Sequence, residues 1–459
     1  MSQVHARVAC PTWLRCALAA SALAGAALSA AAPARAQVHE DTLANGMRLL
    51  VKEDRRAPVA VSMLCYRAGS MDEVSGTTGV AHVLEHMMFK GTRAHPPGDF
   101  SRTVARAGGR DNAFTSRDAT CYHQQLQVAH LPLAFELEAD RMANLTLSEE
   151  EFAREIKVVM EERRLRTEDQ PRALLYESLL ATAYRQHPYR TPILGWMDDL
   201  ENMRVEDARA WYRAWYAPNN ATLVVVGDVD ARQVFDLAQR WFGPIPARAL
   251  PARRSYAEPP QRGARRATLA ATAELSYLMT AWHVPVLRVP AQDWEPYALW
   301  VLAAALDGDD AARLPRALVR GSRLAVSVSA GYDAIGRGPG LFVVSGAPAP
   351  GRSADELEAA IHGALRAVAE QGVAAEELER IKVQAVAGEV FQRDSMFAQA
   401  MQIGRAHNAG LPADSAELML RKLEAVTADQ VQAVARKYFV GDNLTVATLR
   451  PQPLAAVGR

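Results

Sequence analysis

The sequence predicts an α+β protein of two similar domains, and three observations lead there. Runs of branched apolar residues with strand character alternate with stretches of helical spacing. The chain has 459 residues, enough for two or three domains at roughly 100–200 residues each. Past its middle the pattern restarts: Asp207 to Val226 aligns without gaps to Asp429 through Thr448, an offset of 222, which suggests a duplicated α+β unit.

Taken in order, the first 36 residues read as a secretory signal peptide. Arg7 and Arg15 precede an apolar run from Cys16 to Ala32, and Ala34-Arg35-Ala36 offers small residues for cleavage after Ala36. An uncleaved anchor is the rival reading, but the run falls short of the roughly 20 residues a spanning helix needs. No other long apolar segment follows, so no transmembrane span is expected after cleavage. The expected location is the periplasm. Cleavage removes three arginines and no acids, leaving 49 basic against 52 acidic residues, a formal charge of −3 on 423 residues. A 49% hydrophobic, 23% charged composition excludes a disordered tail, a collagen repeat and a coiled coil, and the lack of basic excess argues against nucleic acid.

Gly46 to Val51 and Val59 to Tyr66 read as strands, Thr78 to Phe89 and Phe100 to Ala107 as helices, the second stopped by Gly108-Gly109. Ala113 to Gln127 reads as one strand, and helical spacing runs from Leu131 through Arg166. Ala221 to Asp228 is a buried strand ending in a turn. These boundaries give a signal peptide over 1–36, a first domain over 37–243, a Pro/Arg-rich linker over 244–266 and a second domain over 267–453. Cys10 and Cys16 leave with the signal; Cys65 and Cys121 remain and could pair in an oxidising compartment, although connectivity is not legible in a sequence.

The chemistry centres on His82-Val83-Leu84-Glu85-His86. At 3.6 residues per turn, positions i, i+3 and i+4 share a helix face, so two imidazoles can hold one Zn²⁺ with an open position for water. The metal would lower the pKa of that water to about 7, and Glu85 would be the general base. Chance alone produces this pattern in roughly one to two per cent of chains this long. A third ligand is needed, and the acidic helix Glu149 to Glu168 is the place to look: Glu155 and Glu162 lie seven apart on one face with Val159 between them, while Glu161 points elsewhere. Spacing alone leaves these acids open, since a charged helix face is commonly just solvated.

The run from His82 to Thr92 resembles the signature of the M16 metallopeptidases, the pitrilysin, insulysin and mitochondrial processing peptidase group, and in particular their shorter secreted bacterial members. Gly69-Ser70, Asn112 to Thr115, Glu138 to Met142, His187-Pro188-Tyr189 and Tyr216 to Ala221 are similar to that family too. The resemblance implies two domains of the M16 type, each a mainly antiparallel sheet packed with helices, forming half of a clamshell. It implies that His82, His86 and Glu162 bind one zinc per chain, that Glu85 is the base and that Glu155 supports the catalytic site. It also implies that Asn112, Ala113 and Phe114 line an exposed strand to which an extended peptide substrate adds by backbone hydrogen bonds.

The second half departs from the family pattern. Where active members carry an Arg and a Tyr that hold substrate and polarise its carbonyl, this chain has Val319, beside Arg320, and Val326. In related bacterial pairs one subunit carries the zinc motif and the other the Arg and Tyr. The expectation is therefore a secreted zinc endopeptidase acting on short or unfolded peptides, the zinc-bearing subunit of a heterodimer with a homologous zinc-less partner. A homodimer or monomer using Tyr332 or Arg320 is the alternative, and a non-catalytic chaperone-like or assembly subunit is the rival class. Elsewhere, His187 reads as a capping or packing residue, Asp307 to Asp310 as a turn, and Trp282, His283 and Pro285 as a strand end facing the space between the halves.

Overall fold

The computed structural model describes residues 37–453, so the expected signal peptide lies outside the described residues. Residues from Val38 onward form one compact unit. Its first half runs β1 (Val38–Thr42), β2 (Arg48–Glu53), β3 (Val59–Tyr66), α1 (Val80–Met87), α2 (Asp99–Arg106), β4 (Arg110–Thr115), β5 (Thr120–Gln127), α3 (Leu131–Asn144), α4 (Glu149–Arg163), α5 (Pro171–Ala183), α6 (Met197–Asn202), α7 (Val205–Trp215), β6 (Ala221–Gly227) and α8 (Ala231–Phe242). The second half runs β7 (Arg265–Thr272), β8 (Tyr277–Val284), α9 (Glu295–Asp307), β9 (Ala325–Tyr332), β10 (Gly340–Pro348), α10 (Ala354–Gln371), α11 (Ala375–Gln392), α12 (Met396–Asn408), α13 (Ser415–Glu424), α14 (Ala428–Tyr438) and β11 (Leu444–Gln452).

The strand orders are β1-β2-β6-β3-β5-β4 and β7-β11-β8-β10-β9, the same path apart from the extra β1. In each half one parallel pair, β2 with β6 or β7 with β11, sits in an otherwise antiparallel sheet. The repeat register differs by one residue from the sequence alignment. Val205 falls on Ala428 and Ala221 on Leu444, an offset of 223. Asn220 and Asn443 then coincide, and each side-chain amide donates to the carbonyl five residues earlier, Trp215 and Tyr438. Helix-then-strand periodicity tolerates a one-residue slip; hydrogen-bonded caps do not.

Alternation along the strands gives each sheet two apolar faces. Leu49, Val51, Leu64, Leu223 and Val225 pack with α1, α3, α7 and α8, whereas Leu50, Val61, Met63, Val224 and Val226 face the other way. That second face is covered by Ala400 and Ile403 of α12, a helix of the second half. Reciprocally, Leu175 and Leu179 of α5 cover Met279, Ala281, Ala447 and Leu449 of the second sheet. Each half thus lends a helix to the other.

Several expectations need correction. Ala113 to Gln127 is two strands with a turn at 116–119, because Ser116-Arg117-Asp118 breaks the alternation. The helix after Leu131 is interrupted between Asn144 and Glu149, where Ser148 accepts from the Glu151 amide and restarts it. The linker ends earlier than 266, since Arg265 and Arg266 already pair with Thr445 and Val446. It is also a packed strap. Arg253 donates to Asp72 and Asn220, Glu258 accepts three consecutive amides from Arg185 to His187, and Gln261 donates to the Leu444 carbonyl. Trp282 does not face an inter-half space; it is fully buried in the second core, while His283 bonds the Ala183 carbonyl of α5. Cys65 and Cys121 stand directly opposite on β3 and β5 and form a disulfide.

Candidate active site

Helix α1 begins at Gly79, whose φ of +87° and closeness to the Leu194 carbonyl leave no room for a side chain. No side chain of the N-cap residue satisfies the first amides. Buried Glu73 does so instead, accepting from Gly79 N at 2.8 Å and Ala81 N at 2.9 Å. The helix then presents His82, Glu85 and His86 toward α4, which is anchored by buried Phe152 and Val159.

His82, His86 and Glu162 bring one ligand atom each within 4.8 Å of one another. The His86 Nε2 to Glu162 contact is 3.3 Å and the His82 Nε2 to Glu162 contact 3.8 Å. On its other side the His86 Nδ1 meets Glu155 Oε1 at 2.9 Å. Glu155 also takes Lys90 Nζ at 2.5 Å; although burial favours its neutral form, the bonds from His86 and Lys90 win and hold its carboxyl below the usual range. An ionised carboxylate only accepts, so His86 donates through Nδ1, which leaves Nε2 as the ring nitrogen that faces Glu162. Burial lowers His82 to about 3, so this imidazole is neutral near pH 7. Burial acts the same way on His86, but Glu155 and the neighbouring carboxylates outweigh it and raise its pKa. Two imidazole nitrogens and one carboxylate oxygen converging with a hydrogen-bonded outer partner match the donor set of a divalent zinc site.

Glu85 is nearly buried, and its carboxylate accepts from the Thr115 hydroxyl at 2.6 Å. Burial pushes its carboxyl up, against the lowering pull of Thr115. Asn112, Ala113 and Phe114 lie on β4, the last strand of its sheet, bonded to β5 on one side only. Alternation turns Ala113 and Thr115 toward the α1 side, and Phe114 toward the face that α12 covers. Residues beyond those singled out in the sequence join the site: Thr115 on Glu85, Lys90 on Glu155, and Arg166, whose guanidinium reaches Glu162 at 2.8 Å from a π-helical turn at 164–168. Lys90 and Thr115 sit inside the motif stretches. Arg166 is four residues past Glu162, the one spacing signal that could have found it.

The other motif residues are structural. Glu138 and Arg141 form a fully buried ion pair that also takes Gln124. His187 Nδ1 accepts from the Tyr189 amide, a cap. Asp309 accepts from Arg380 and Gln384.

Residues 48–196 match the family model described as Insulinase (Peptidase family M16), and residues 202–385 match Peptidase M16 inactive domain. The chain is similar to the zinc protease PqqE of Helicobacter pylori, 31% identical over 90% of this chain and 93% of that protein. It is similar as well to the mitochondrial-processing peptidase subunit beta of Lentinula edodes, 26% identical over 88% of each. Among solved structures, a protease from Helicobacter pylori superposes with a TM-score of 0.85 at 29% identity, covering 91% of this chain and all of that one. The first half of the periplasmic protease PqqL from Escherichia coli shares the fold, with a TM-score of 0.76 at 20% identity, covering 91% and 94%. With two α+β halves in a clamshell-like arrangement and the His-His-Glu triad of an inverted zinc-peptidase site, the chain belongs to the M16 family of metallopeptidases.

Proposed function

We propose that the chain is a secreted, periplasmic zinc endopeptidase that hydrolyses short or unfolded peptides. The observation that carries this reading is the convergence of His82, His86 and Glu162 beside a buried carboxylate and an open sheet edge. His82, His86 and Glu162 would hold the metal, with Glu155 orienting His86. A zinc there supplies Lewis-acid chemistry, acidifying water and polarising a carbonyl. Glu85, its pKa raised and its position held by Thr115, takes a proton from the attacking water and delivers it to the leaving amine. The β4 edge around Asn112, Ala113 and Phe114 accepts an extended peptide as an added strand, which requires an unfolded or flexible substrate. The Cys65–Cys121 disulfide and the N-terminal signal reading support an oxidising compartment.

The chain acts in this reading as the zinc-bearing subunit of a pair, with a homologous zinc-less partner supplying a cation and a hydroxyl. Val326 is half exposed on the edge strand β9 and carries no donor. Tyr332, the in-chain alternative, commits its hydroxyl to the Pro285 carbonyl at 2.5 Å. Arg320 remains an exposed cation that a homodimer could use. The test is hydrolysis of a quenched peptide mixture by the purified zinc-loaded chain, with Glu85→Gln as blank, alone and mixed with a zinc-less homologue from the same genome. Hydrolysis only in the mixture supports the pair, and hydrolysis by the lone chain replaces it with self-sufficiency. No hydrolysis in either, with zinc bound, refutes the peptidase.

A further inference from the structure

We infer that Arg337, in the loop between β9 and β10, is a positioning residue for the metal helix and the edge strand of the other half. The inference deepens the peptidase reading and rests on it. The Arg337 side chain is 7% exposed, and so is that of Asp72. Its two terminal nitrogens donate to the two oxygens of Asp72 at 2.7 and 2.9 Å, and one also donates to the Asp118 carbonyl at 2.9 Å. The Arg337 amide donates to the Asp118 carboxylate at 3.0 Å. Tyr189 completes the junction, donating to the same carboxylate at 2.5 Å and accepting from the Gly338 amide at 2.8 Å.

Each carboxylate leads to a different side of the active site. Asp72 adjoins Glu73, whose carboxylate caps the first turn of α1, the helix of His82, Glu85 and His86. Asp118 lies in the turn that joins β4 to β5, three residues past Thr115, which holds Glu85. One buried guanidinium therefore braces the start of the metal helix against the end of the peptide-binding edge, beside Arg253 on Asp72 and the backbone bonds from the Ser70 and Met71 amides to the Ser116 and Arg117 carbonyls. That separation sets where a peptide on β4 lies relative to the metal ligands. A planar guanidinium can form the paired bonds to Asp72 and the bond to the Asp118 carbonyl together; an ammonium cannot reproduce that fork. Arg337, which lies within the stretch 202–385 matched as an inactive domain, thus contributes geometry to the site.

The test compares Arg337→Ala and Arg337→Lys with Arg56→Ala. Arg56 bridges the halves elsewhere, through Asp394 and the Arg393 carbonyl. Two readouts are taken well below each variant's melting temperature: kcat and KM on a peptide, and the visible absorption of the Co²⁺-substituted protein, which reports ligand geometry. Expected for Arg337→Ala is a fall in kcat of about ten- to hundred-fold, the size of effect a misplacement of about 1 Å produces, with KM changed less and the cobalt bands altered. Arg337→Lys falls between it and the parent, and Arg56→Ala matches the parent. A parental kcat and cobalt spectrum in folded Arg337→Ala overturns the inference, as does an equal kcat loss in Arg56→Ala. If Arg337→Ala does not fold, the same criteria apply to Arg337→Lys. If the parent chain hydrolyses nothing, either alone or mixed with the zinc-less homologue, the peptidase reading fails, while the cobalt spectra still decide the role of Arg337.

Discussion

In the first half, helix α1 carries His82, Glu85 and His86 against the sheet; in the second, α9 takes the same place in the chain path after the second long strand and buries Ala298, Leu299, Val301, Leu302, Ala305 and Leu306 at 1% exposure or less. The two sheets have the same order, and each borrows a helix from the other. An apolar helix is therefore sufficient for the fold, and the polar residues of α1 exist for chemistry. They are expensive to bury, since an unpaired polar group costs roughly 1–3 kcal/mol. The first half accordingly gives two of them partners, Thr115 on Glu85 and Glu155 on His86, with Lys90 on Glu155 and Glu73 on the helix start, while the buried His82 Nδ1 has none among the described residues. At the position of Thr115 the second sheet has Tyr332, by strand register, and its hydroxyl turns to the Pro285 carbonyl instead.

The contrast breaks most sharply at Glu85. Glu85→Gln makes α1 as inert as α9; peptide hydrolysis is expected to fall by roughly 10²–10⁴-fold, with zinc content by elemental analysis unchanged. Loss of the metal instead would mean that Glu85 serves the ligand set.

Next in size is the disulfide. Cys65 and Cys121 correspond in register to Ala281 and Val343, so the second sheet holds without a bridge. The double change Cys65→Ala, Cys121→Val gives the first sheet the second sheet's residues. With the cysteines separated by 56 positions, it is expected to cost about 2–4 kcal/mol in denaturant unfolding under non-reducing conditions. A cost near zero would show the two sheets equally self-supporting.

Glu155→Gln removes the ionised partner of His86 and Lys90 while leaving the ligands in place. A loss of about 10–100-fold in zinc affinity is expected by competition with a chelator. An unchanged affinity would reduce Glu155 to a surface contact.

The smallest effect lies where the halves touch through Asp54, which accepts from Arg56 and from Gln399 of α12. The Arg56 bond is the main cause holding Asp54 down at about 2, against 3.8 unperturbed. Because the folded value is the lower one, its contribution is full above pH 3.8 and is lost as pH falls toward 2. Asp54→Asn should flatten the stability profile in that window by at most about 2 kcal/mol, measured by thermal melts from pH 5 to 2.

Much of this is legible in the sequence. The sequence places the strand Val59 to Tyr66 at its observed ends, and the spacing of His82 and His86 puts both on one helix face, because both depend on short-range periodicity. Glu162 needed family resemblance, since α4 displays several acids and only its packing on α1 decides among them. The single long strand at 113–127 was misread because Thr, Phe and Tyr favour strands on both sides of the turn. Trp282 was misplaced because an aromatic at a strand end looks alike whether it faces a core or a cleft. Arg337 and the exchanged helices leave no local trace; they join residues far apart in the chain, 219 positions in the case of Arg337 and Asp118.

The exchange of α5 and α12 has a consequence for synthesis. The first sheet is complete in sequence at Gly227, yet the residues that cover its second face, Ala400 and Ile403, are translated some 170 residues later. Emerging from the ribosome, the first half holds every metal ligand and still shows an apolar sheet face to water, a state prone to aggregation and to chaperone capture. A fragment ending at residue 245 lacks the residues that cover that face, so the first half cut at the strap is expected to aggregate. Its maturation waits for the half that carries no metal ligand.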